Sequence, residues 1–456
     1  MTWMDTAESV FGNRNAVIVH GDARSRLAEL PSGLAHICVT SPPYWFQRSY
    51  IADDHPDKPL ELGRERSPQE WCDNQVAVFR EVRRVLLPWG VLWLNVGSCY
   101  SSGDRKTYRS GASTNKGWQV QDDMPRPPTP PGYKPLDLVD LPSILAESLR
   151  ADGWYYRSRI VWRKRAPLPS SVRGWRWERC RVRKKRLRDN AALHRRDADI
   201  SPVTSRPWAQ WETCPGCDRC RANGGWVLRK GSWRPTGSHE IILQLTPGDT
   251  YFCDSEAAAE PAETATIQRE RYSRITANGK TDRNGDDAAA VKHDHESLSG
   301  GKRNPRDVQT FKASYNKAEH YACFPLDLPT RFIKFSMSEK GYCPECAMPM
   351  ARMVEHRNMV IDRSGRSEAM GEYGRIQPSG TMVSGATSET VGWMPSCSCN
   401  TRDQPVSGIC LDPYAGTGTT VLAAILSGHR GLGVELSSDY CRIAERRIRA
   451  RAGLFT

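Results

Sequence analysis

The sequence predicts an α/β fold built on a doubly wound, mostly parallel sheet, and three observations predict it. Short uninterrupted apolar runs such as Ala35-His36-Ile37-Cys38-Val39 and Ile409-Cys410-Leu411-Asp412 have the composition of strands buried on both faces. They alternate with segments whose apolar residues recur at helical spacing, which is the rhythm of β-α-β units. Two of the runs end in turns rich in chemistry-bearing residues, and open α/β sheets bind their ligands at such strand ends. A chain of 456 residues has ample material for one large domain with insertions, or for two or three domains.

Taken in order, the first strand is Ala16–His20, ending at Gly21-Asp22. Asp22 reads either as a ligand contact or as a turn former. Arg24–Leu30 is a short helix. The strand Ala35–Val39 stops at Thr40-Ser41-Pro42-Pro43-Tyr44-Trp45, because two successive prolines suit neither a helix nor a ladder. The rigid turn delivers Ser41 and Tyr44 to the strand's carboxyl end, although taken alone it reads equally as a loop closing a core strand. Residues 46–68 are polar and proline-bearing, a surface loop beside that turn. From Pro68, the positions Trp71, Val76, Phe79, Val82, Val85 and Leu86 have helical spacing, and Gly90–Val96 is the next strand.

Residues from about 98 to 134 hold Gly, Ser, Thr and the proline-rich run 125–131, the composition of a mobile insertion. A helix over Leu141–Arg150 and a strand over Trp154–Trp162 resume the alternation. The next segment interleaves Arg173, Arg176, Arg179, Arg181, Arg183, Lys184, Lys185, Arg186 and Arg188 with Trp175 and Trp177. Such a mixture suits phosphate contact and base stacking, or is simply a solvated basic face. His239–Leu245 and Tyr251–Cys253 read as an edge hairpin, and residues 255–314, polar and poor in apolar side chains, as a flexible tract.

The formal charge of +13 and pI near 9.1 favour a polyanionic partner over a small acidic metabolite. No apolar run approaches the roughly 20 residues needed to span a bilayer. The N-terminus lacks a basic region followed by an apolar one, so the expectation is a soluble cytoplasmic protein. Its fifteen cysteines then point to reduced thiols or metal ligands and not to a disulfide framework.

The stretch Asp412-Pro413-Tyr414-Ala415-Gly416-Thr417-Gly418-Thr419-Thr420 follows a strand and opens the helix Val421–Ser427, and Gly431–Glu435 is a second strand ending in an acid. This is a nucleotide-type βαβ unit. Its glycines let the backbone approach a ligand, and Glu435 can accept both ribose hydroxyls. A phosphate-binding loop of the NTPase kind needs Gly-Lys-Ser/Thr, and no lysine is present. A dinucleotide site needs a third glycine, also missing. S-adenosylmethionine has no phosphate, and Asp412 suits its positively charged methionine end.

Together these residues resemble the amino-methylating DNA methyltransferases of bacteria and phages. In that family an Asp-Pro-Phe-x-Gly-Ser/Thr-Gly-Thr motif binds S-adenosylmethionine, and Asp412 to Thr420 match it with Tyr414 where Phe is usual. A Ser/Asn/Asp-Pro-Pro-aromatic motif holds the target base, and Ser41, Pro42, Pro43 and Tyr44 match it. The catalytic motif precedes the cofactor motif, as in the permuted β class. The resemblance therefore implies a circularly permuted, seven-stranded sheet of the S-adenosylmethionine-dependent methyltransferase type, in which the C-terminal βαβ supplies the missing first strands. It extends to His20-Gly21-Asp22-Ala23, Trp93-Leu94-Asn95, Ile160–Arg163, Pro167–Ser171 and His320–Pro325, and implies cofactor contacts from Asp22 and Phe324. Double-stranded DNA is the implied partner, with room for a cognate restriction endonuclease.

The chemistry fits the residue types. An exocyclic amine is a poor nucleophile and is inaccessible in a duplex, so the base must be flipped out. Tyr44 offers a stacking face, while the Ser41 hydroxyl and the Pro42 carbonyl can accept hydrogen bonds from the amine and aim its lone pair. Ser41 is too weak a base to be more than an acceptor. Methylation at cytosine C5 would need a thiolate after a proline, and no Pro-Cys dipeptide occurs. Within the family a leading serine leans towards cytosine N4, and Asp or Asn towards adenine N6. A non-catalytic zinc-containing DNA-binding protein would explain the charge and cysteines but not Ser41–Tyr44 with Asp412 and Glu435. A nicotinamide oxidoreductase would leave the basic tract and Ser41 unexplained.

Cys343 and Cys346 with Cys397 and Cys399 form two close pairs, as a structural zinc site requires. Cys214, Cys217 and Cys220 are three ligands of a second candidate, with Cys180, His194 or His239 as the fourth. Cys38, Cys410 and Cys441 sit in apolar or helical settings as core residues. The expected organisation is a catalytic half over 1–162, a basic target-recognition insertion over 163–238, an edge hairpin over 239–254, a flexible tract over 255–314, a cofactor-binding half over 315–342 and 400–456, and a zinc-ribbon-like insertion over 343–399.

Overall fold

The computed structural model describes residues 2–47, 49–101, 129–165, 167, 174–183, 211–261, 302–311, 324–357, 360–362, 381–384, 387–399, 401 and 403–452. These fall into two compact units. The larger takes in the described residues up to 101, then 129–163 and 240 onwards, and the smaller those of 164–239.

The larger unit is built on strands β1 (Ala16–His20), β2 (Ala35–Thr40), β3 (Leu86–Val96), β4 (Tyr155–Arg163), β5 (His239–Thr246), β6 (Val308–Gln309), β7 (Ile409–Asp412) and β8 (Arg430–Glu435). Among the described residues these eight form one sheet in the order β1-β8-β7-β2-β3-β5-β4-β6, where the sequence predicts seven strands. The pairs β1·β8, β8·β7, β7·β2, β2·β3 and β4·β6 are parallel, and β3·β5 is antiparallel. The last strands of the chain thus lie between the first and the second.

Helices cover both faces. On one face α1 (Trp3–Phe11), α2 (Ala23–Ala28), α3 (Pro68–Val85) and α4 (Leu141–Ala151) bury Trp3, Phe11, Leu27, Trp71, Phe79 and Leu145 against Leu92, Leu94 and Leu411. On the other, α5 (Asp327–Ser336) and α6 (Thr419–Leu426) pack Phe332, Ile333, Ala423 and Ala424 on Ile37, Val39, Val91 and Trp93. α7 (Ser438–Ala452) adds Ile448 beside Val421 and Ile425. The local signals explain the boundaries. Ser67 caps α3 by accepting from the Glu70 N–H, and Pro68 occupies the first turn, where its missing N–H costs nothing. The buried apolar face of α3 is Trp71, Cys72, Val78, Phe79, Val82 and Val85, so Trp71, Phe79, Val82 and Val85 fall where their spacing predicts while Val76 is only partly buried.

Two expectations are corrected. β5 is not an edge hairpin: it lies between β3 and β4, and Tyr251–Cys253 is no strand, the Phe252 N–H donating to the Trp89 carbonyl at 3.0 Å. Ile241, Ile242, Leu243 and Leu245 are all buried, and consecutive apolar residues of that kind need cover on both faces. The tract 255–314 is structured at both ends. Asp254 caps the turn Ser255–Ala258, Glu260–Pro261 pairs with Lys302–Arg303, β6 joins the sheet, and Phe311 is buried. Its order comes from long-range pairing, to which composition is blind. The middle of that tract, and most of the 98–134 insertion, lie outside the described residues.

Candidate active site

β2 and β7 are adjacent and parallel, with Ile37 opposite Cys410 and Cys38 opposite Leu411. Their carboxyl ends therefore meet. The Thr40 hydroxyl donates to Asp412 Oδ1 at 2.6 Å across 372 residues of sequence, joining the Ser41 turn to the Asp412 turn.

Asp412 is almost fully buried and also accepts from the Tyr414 N–H at 3.0 Å. Burial pushes its carboxyl up to about 6, against hydrogen bonds from Thr40, Thr420 and the Tyr414 backbone that hold it down. One strand over, Glu435 at the end of β8 accepts from the Gly416 N–H and the Ser437 N–H, both at 2.8 Å. Burial likewise pushes Glu435 up to about 7, with the same backbone groups opposing. One of its oxygens thus braces the glycine turn and the other the start of the segment after β8. That turn lies so close over β8 that a Cβ on Gly433 would sit 2.7 Å from Ala415 Cβ. Gly416 and Gly418 take φ of +53° and +72°, a region that side chains disfavour. α6 begins after Gly418 with no side-chain cap, so its first N–H groups face the turn.

The other predicted cofactor residues are placed as follows. The Tyr414 hydroxyl, absent from the usual Phe, donates to Gln75 Oε1 at 2.7 Å. Arg447 Nη1 donates to the Thr417 carbonyl and to the Thr417 and Thr419 hydroxyls, at 3.0, 3.1 and 2.8 Å. Those hydroxyls serve the turn itself. Asp22 follows β1, whose His20 is opposite Glu435, and caps α2 by accepting from the Ser25 N–H and hydroxyl at 2.9 and 2.8 Å. Phe324 is partly buried against the cluster that contains Ile37 and Val39. Pro413 and Ala415 complete the turn, Ala415 buried and its N–H bonded to the Val434 carbonyl at 2.8 Å.

The Ser41 turn is held by the loop after it and by α3. The Trp71 indole donates to the Pro43 carbonyl at 2.9 Å, the Trp45 indole to the Glu65 carbonyl at 2.8 Å, and a Cβ on Gly63 would lie 3.1 Å from Pro43 Cβ. Pro42 is buried, and Ser41 and Tyr44 are half-buried. The Ser41 hydroxyl donates to the Tyr44 oxygen at 3.1 Å, and the Tyr44 hydroxyl donates to Glu240 Oε2 at 2.9 Å. Asn95 Nδ2 donates to the Tyr44 oxygen and to Glu240 Oε2, both at 2.8 Å. Burial, then the Glu240 charge, push the Tyr44 phenol well above its ordinary range, so it remains a donor. The Tyr44 ring lies against Gly97, where a Cβ would come within 2.7 Å of Cε2. Sequence reasoning missed Glu240, Gln75 and Arg447 as site residues. Glu240 carried one signal, a charge at the start of an apolar strand, whereas Gln75 and Arg447 lie in helices already rich in polar residues and carried none.

In the smaller unit, Arg176–Arg179 pairs antiparallel with Trp226–Arg229, which places Trp177 and Leu228, and Arg179 and Trp226, as cross-strand neighbours on one face. Trp175 is 68% exposed and Trp177 51%. Arg179 stacks over Trp226 at 4.5 Å, Arg181 is exposed, and Arg176 is paired with Glu178 at 2.6 Å. Arg173, Lys184 and Lys185 lie outside the described residues.

Both cysteine groups converge. In each, the four Sγ atoms lie within 4.8 Å of one another. In the smaller unit Cys180 is the fourth member among the described residues, which do not include His194, with Sγ separations of 3.8 Å to Cys217, 3.7 Å from Cys217 to Cys220 and 3.9 Å from Cys220 to Cys214. A Zn–S bond of about 2.3 Å gives a tetrahedron edge of about 3.8 Å. The donor set therefore fits zinc. The Arg219 N–H and neighbouring thiols bring Cys217 down to about 7, and in the larger unit Cys343 is lowered because N–H groups of Cys346 and Glu345 outweigh burial. Cys38, Cys410 and Cys441 are buried in the core.

The family model described as DNA methylase, N6_N4_Mtase, matches residues 35–343 and 397–446. The chain belongs to this family. It is 32% identical over 258 residues to the type II methyltransferase M.XycI of Xanthomonas campestris pv. cyanopsidis, covering 57% of this chain and 63% of that protein. It is 25% identical to the type II methyltransferase M.SfiI of Streptomyces fimbriatus over 92% of this chain and 88% of that one. The match thus spans less than two thirds of M.XycI. Among solved structures, the cytosine-N4-specific PvuII DNA methyltransferase covers 95% of this chain and 86% of its own, at 11% identity and a TM-score of 0.43. Among the described residues no helix is long and apolar enough to cross a membrane.

Proposed function

We propose that the chain is an S-adenosylmethionine-dependent DNA methyltransferase of the permuted β class that methylates the exocyclic amine of a flipped base, cytosine N4. The observation that carries this is the Thr40–Asp412 hydrogen bond, which joins the Ser41 turn to the Asp412 turn. When bound, the cofactor supplies an electrophilic methyl group on a sulfonium. Asp412 is a buried carboxylate and Glu435 a half-buried one, and a cation and ribose hydroxyls would satisfy them. Ser41 and the Pro42 carbonyl accept the amine's N–H groups and aim its lone pair at the methyl, while Tyr44 stacks on the base. Catalysis is orientation and electrostatics in a partly dry site. The proton leaves after transfer has made the nitrogen acidic.

Cytosine is chosen because serine leads the Ser41–Tyr44 turn. Residues 163–238 are assigned to target recognition, on the exposed Trp175 and Trp177 with Arg179 and Arg181. Structural zinc in both cysteine groups would staple modules that lack a large core. The relatives' type II designation supports a cognate restriction endonuclease as partner. The test is labelled-methyl transfer from S-adenosylmethionine to duplex DNA by purified zinc-loaded protein, followed by mass spectrometry of the nucleosides. N4-methylcytosine is the expected product, N6-methyladenine would replace the base assignment, and no incorporation into any DNA would refute the activity. Metal analysis is expected to return two zinc per chain.

A further inference from the structure

We infer that Glu240 is a positioning residue: acting through Tyr44, it fixes the direction of the Ser41 hydroxyl so that Ser41 meets the target amine as an acceptor. The inference rests on the function proposed above.

A carboxylate can only accept hydrogen bonds. The Tyr44 hydroxyl has one proton, and at 2.9 Å from Glu240 Oε2 that proton is committed. Asn95 Nδ2 sends a second donor to the same carboxylate oxygen and another to the Tyr44 oxygen. Turning the Asn95 amide round would set its carbonyl against the carboxylate, so its sense is fixed too. With its own proton used, the Tyr44 oxygen can only accept from Ser41, 3.1 Å away. The Ser41 proton therefore points at Tyr44, and its lone pairs are left for an incoming N–H. Reversing the chain would set the Ser41 O–H against the amine's N–H, donor against donor. β5 brings Glu240 here because it sits beside β3 in the sheet: Ile241 is opposite Val96 and Ile242 opposite Asn95.

The test is a set of single-turnover methyl-transfer rates for wild type, Glu240→Leu, Tyr44→Phe, the double variant and Glu240→Gln, with cofactor affinity measured alongside. Glu240→Leu frees the Tyr44 O–H to turn onto Ser41, and the rate is expected to fall on the order of 100-fold. Tyr44→Phe removes the fixed partner without creating a wrong one, for a loss of about 10-fold. The double variant is expected to recover to the Tyr44→Phe rate, so the second substitution rescues the first. Glu240→Gln keeps an acceptor carbonyl and should lose less than Glu240→Leu. Cofactor affinity should stay near the wild-type value throughout. A merely structural Glu240 would give additive losses, and additivity, or an unchanged Glu240→Leu rate, overturns the inference. Where Glu240→Leu does not fold, the Glu240→Gln pair reads the same relation: any loss it causes should vanish in the Tyr44→Phe background, and persistence there overturns it. An inactive wild type refutes the function and the inference together, whereas an active wild type with additive losses refutes only the inference.

Discussion

The Ser41 turn and the Asp412 turn stand side by side at the ends of adjacent strands, yet they are built from opposite materials. The Ser41 turn has no glycine among residues 41–45 and is held by side chains: two indoles on backbone carbonyls, and the Tyr44, Asn95 and Glu240 network. The Asp412 turn bends through two glycines at positive φ and is braced by charged side chains, Asp412 on the Tyr414 N–H, Glu435 on the Gly416 N–H and Arg447 on Thr417 and Thr419, with both carboxyls shifted upward. One turn presents neutral hydroxyl chemistry in a fixed direction. The other presents two carboxylates whose charge the fold satisfies only in part.

If that division holds, four measurements separate the turns. Ser41→Ala is expected to cut single-turnover rate by about 10²- to 10³-fold while leaving cofactor affinity, measured by calorimetry, nearly intact. A lost cofactor affinity would mean that the two turns are one site. Glu435→Ala should do the reverse, weakening cofactor binding on the order of 10- to 100-fold, since it removes ligand contacts and the brace on the Gly416 N–H together.

The third measurement is the pH dependence of cofactor binding. Raised carboxyl values mean that the unliganded fold favours the protonated forms, a contribution present at low pH and lost as pH rises through about 6 for Asp412 and about 7 for Glu435. A cationic ligand favours the ionised forms. Affinity should therefore tighten as pH rises through this window, with protons released on binding near pH 6.5, detectable as buffer-dependent calorimetric heats. The rate at saturating cofactor should change little between pH 7 and 8, and an equally pH-dependent chemical step would break the comparison. The smallest effect is expected for Tyr414→Phe. It leaves the fully buried Gln75 without its hydroxyl partner, at a cost of about 1–2 kcal/mol in denaturant unfolding, with little change in turnover.

Much of this was legible in advance, for reasons that differ by region. β1, β2 and β7 are short apolar runs bounded by turn formers, and α3 carries its own cap and stripe, so local pattern suffices for them. β5 was misplaced at an edge because alternation cannot say how many neighbours a strand has. The ends of the 255–314 tract were misread because Glu260–Pro261 and Val308–Gln309 acquire order only from partners elsewhere. Cys180 was one of three candidates for the fourth place in its group, and spacing could not choose among them.

The sequence by itself determined the chemistry available at each turn: a serine before two prolines, an acid before a glycine-bearing turn, a second acid at a strand end, and cysteines in close pairs. These are local because the backbone geometry of a turn, a cap or a knuckle is dictated by residues a few positions apart. The tertiary structure alone decided that Thr40 touches Asp412, that Arg447 holds Thr417 and Thr419, and that Glu240 reaches Tyr44. Contacts of this kind, spanning from 28 to 372 residues of sequence, depend on how the strands and helices assemble, which is set by the burial of every element at once and leaves no mark on any single stretch.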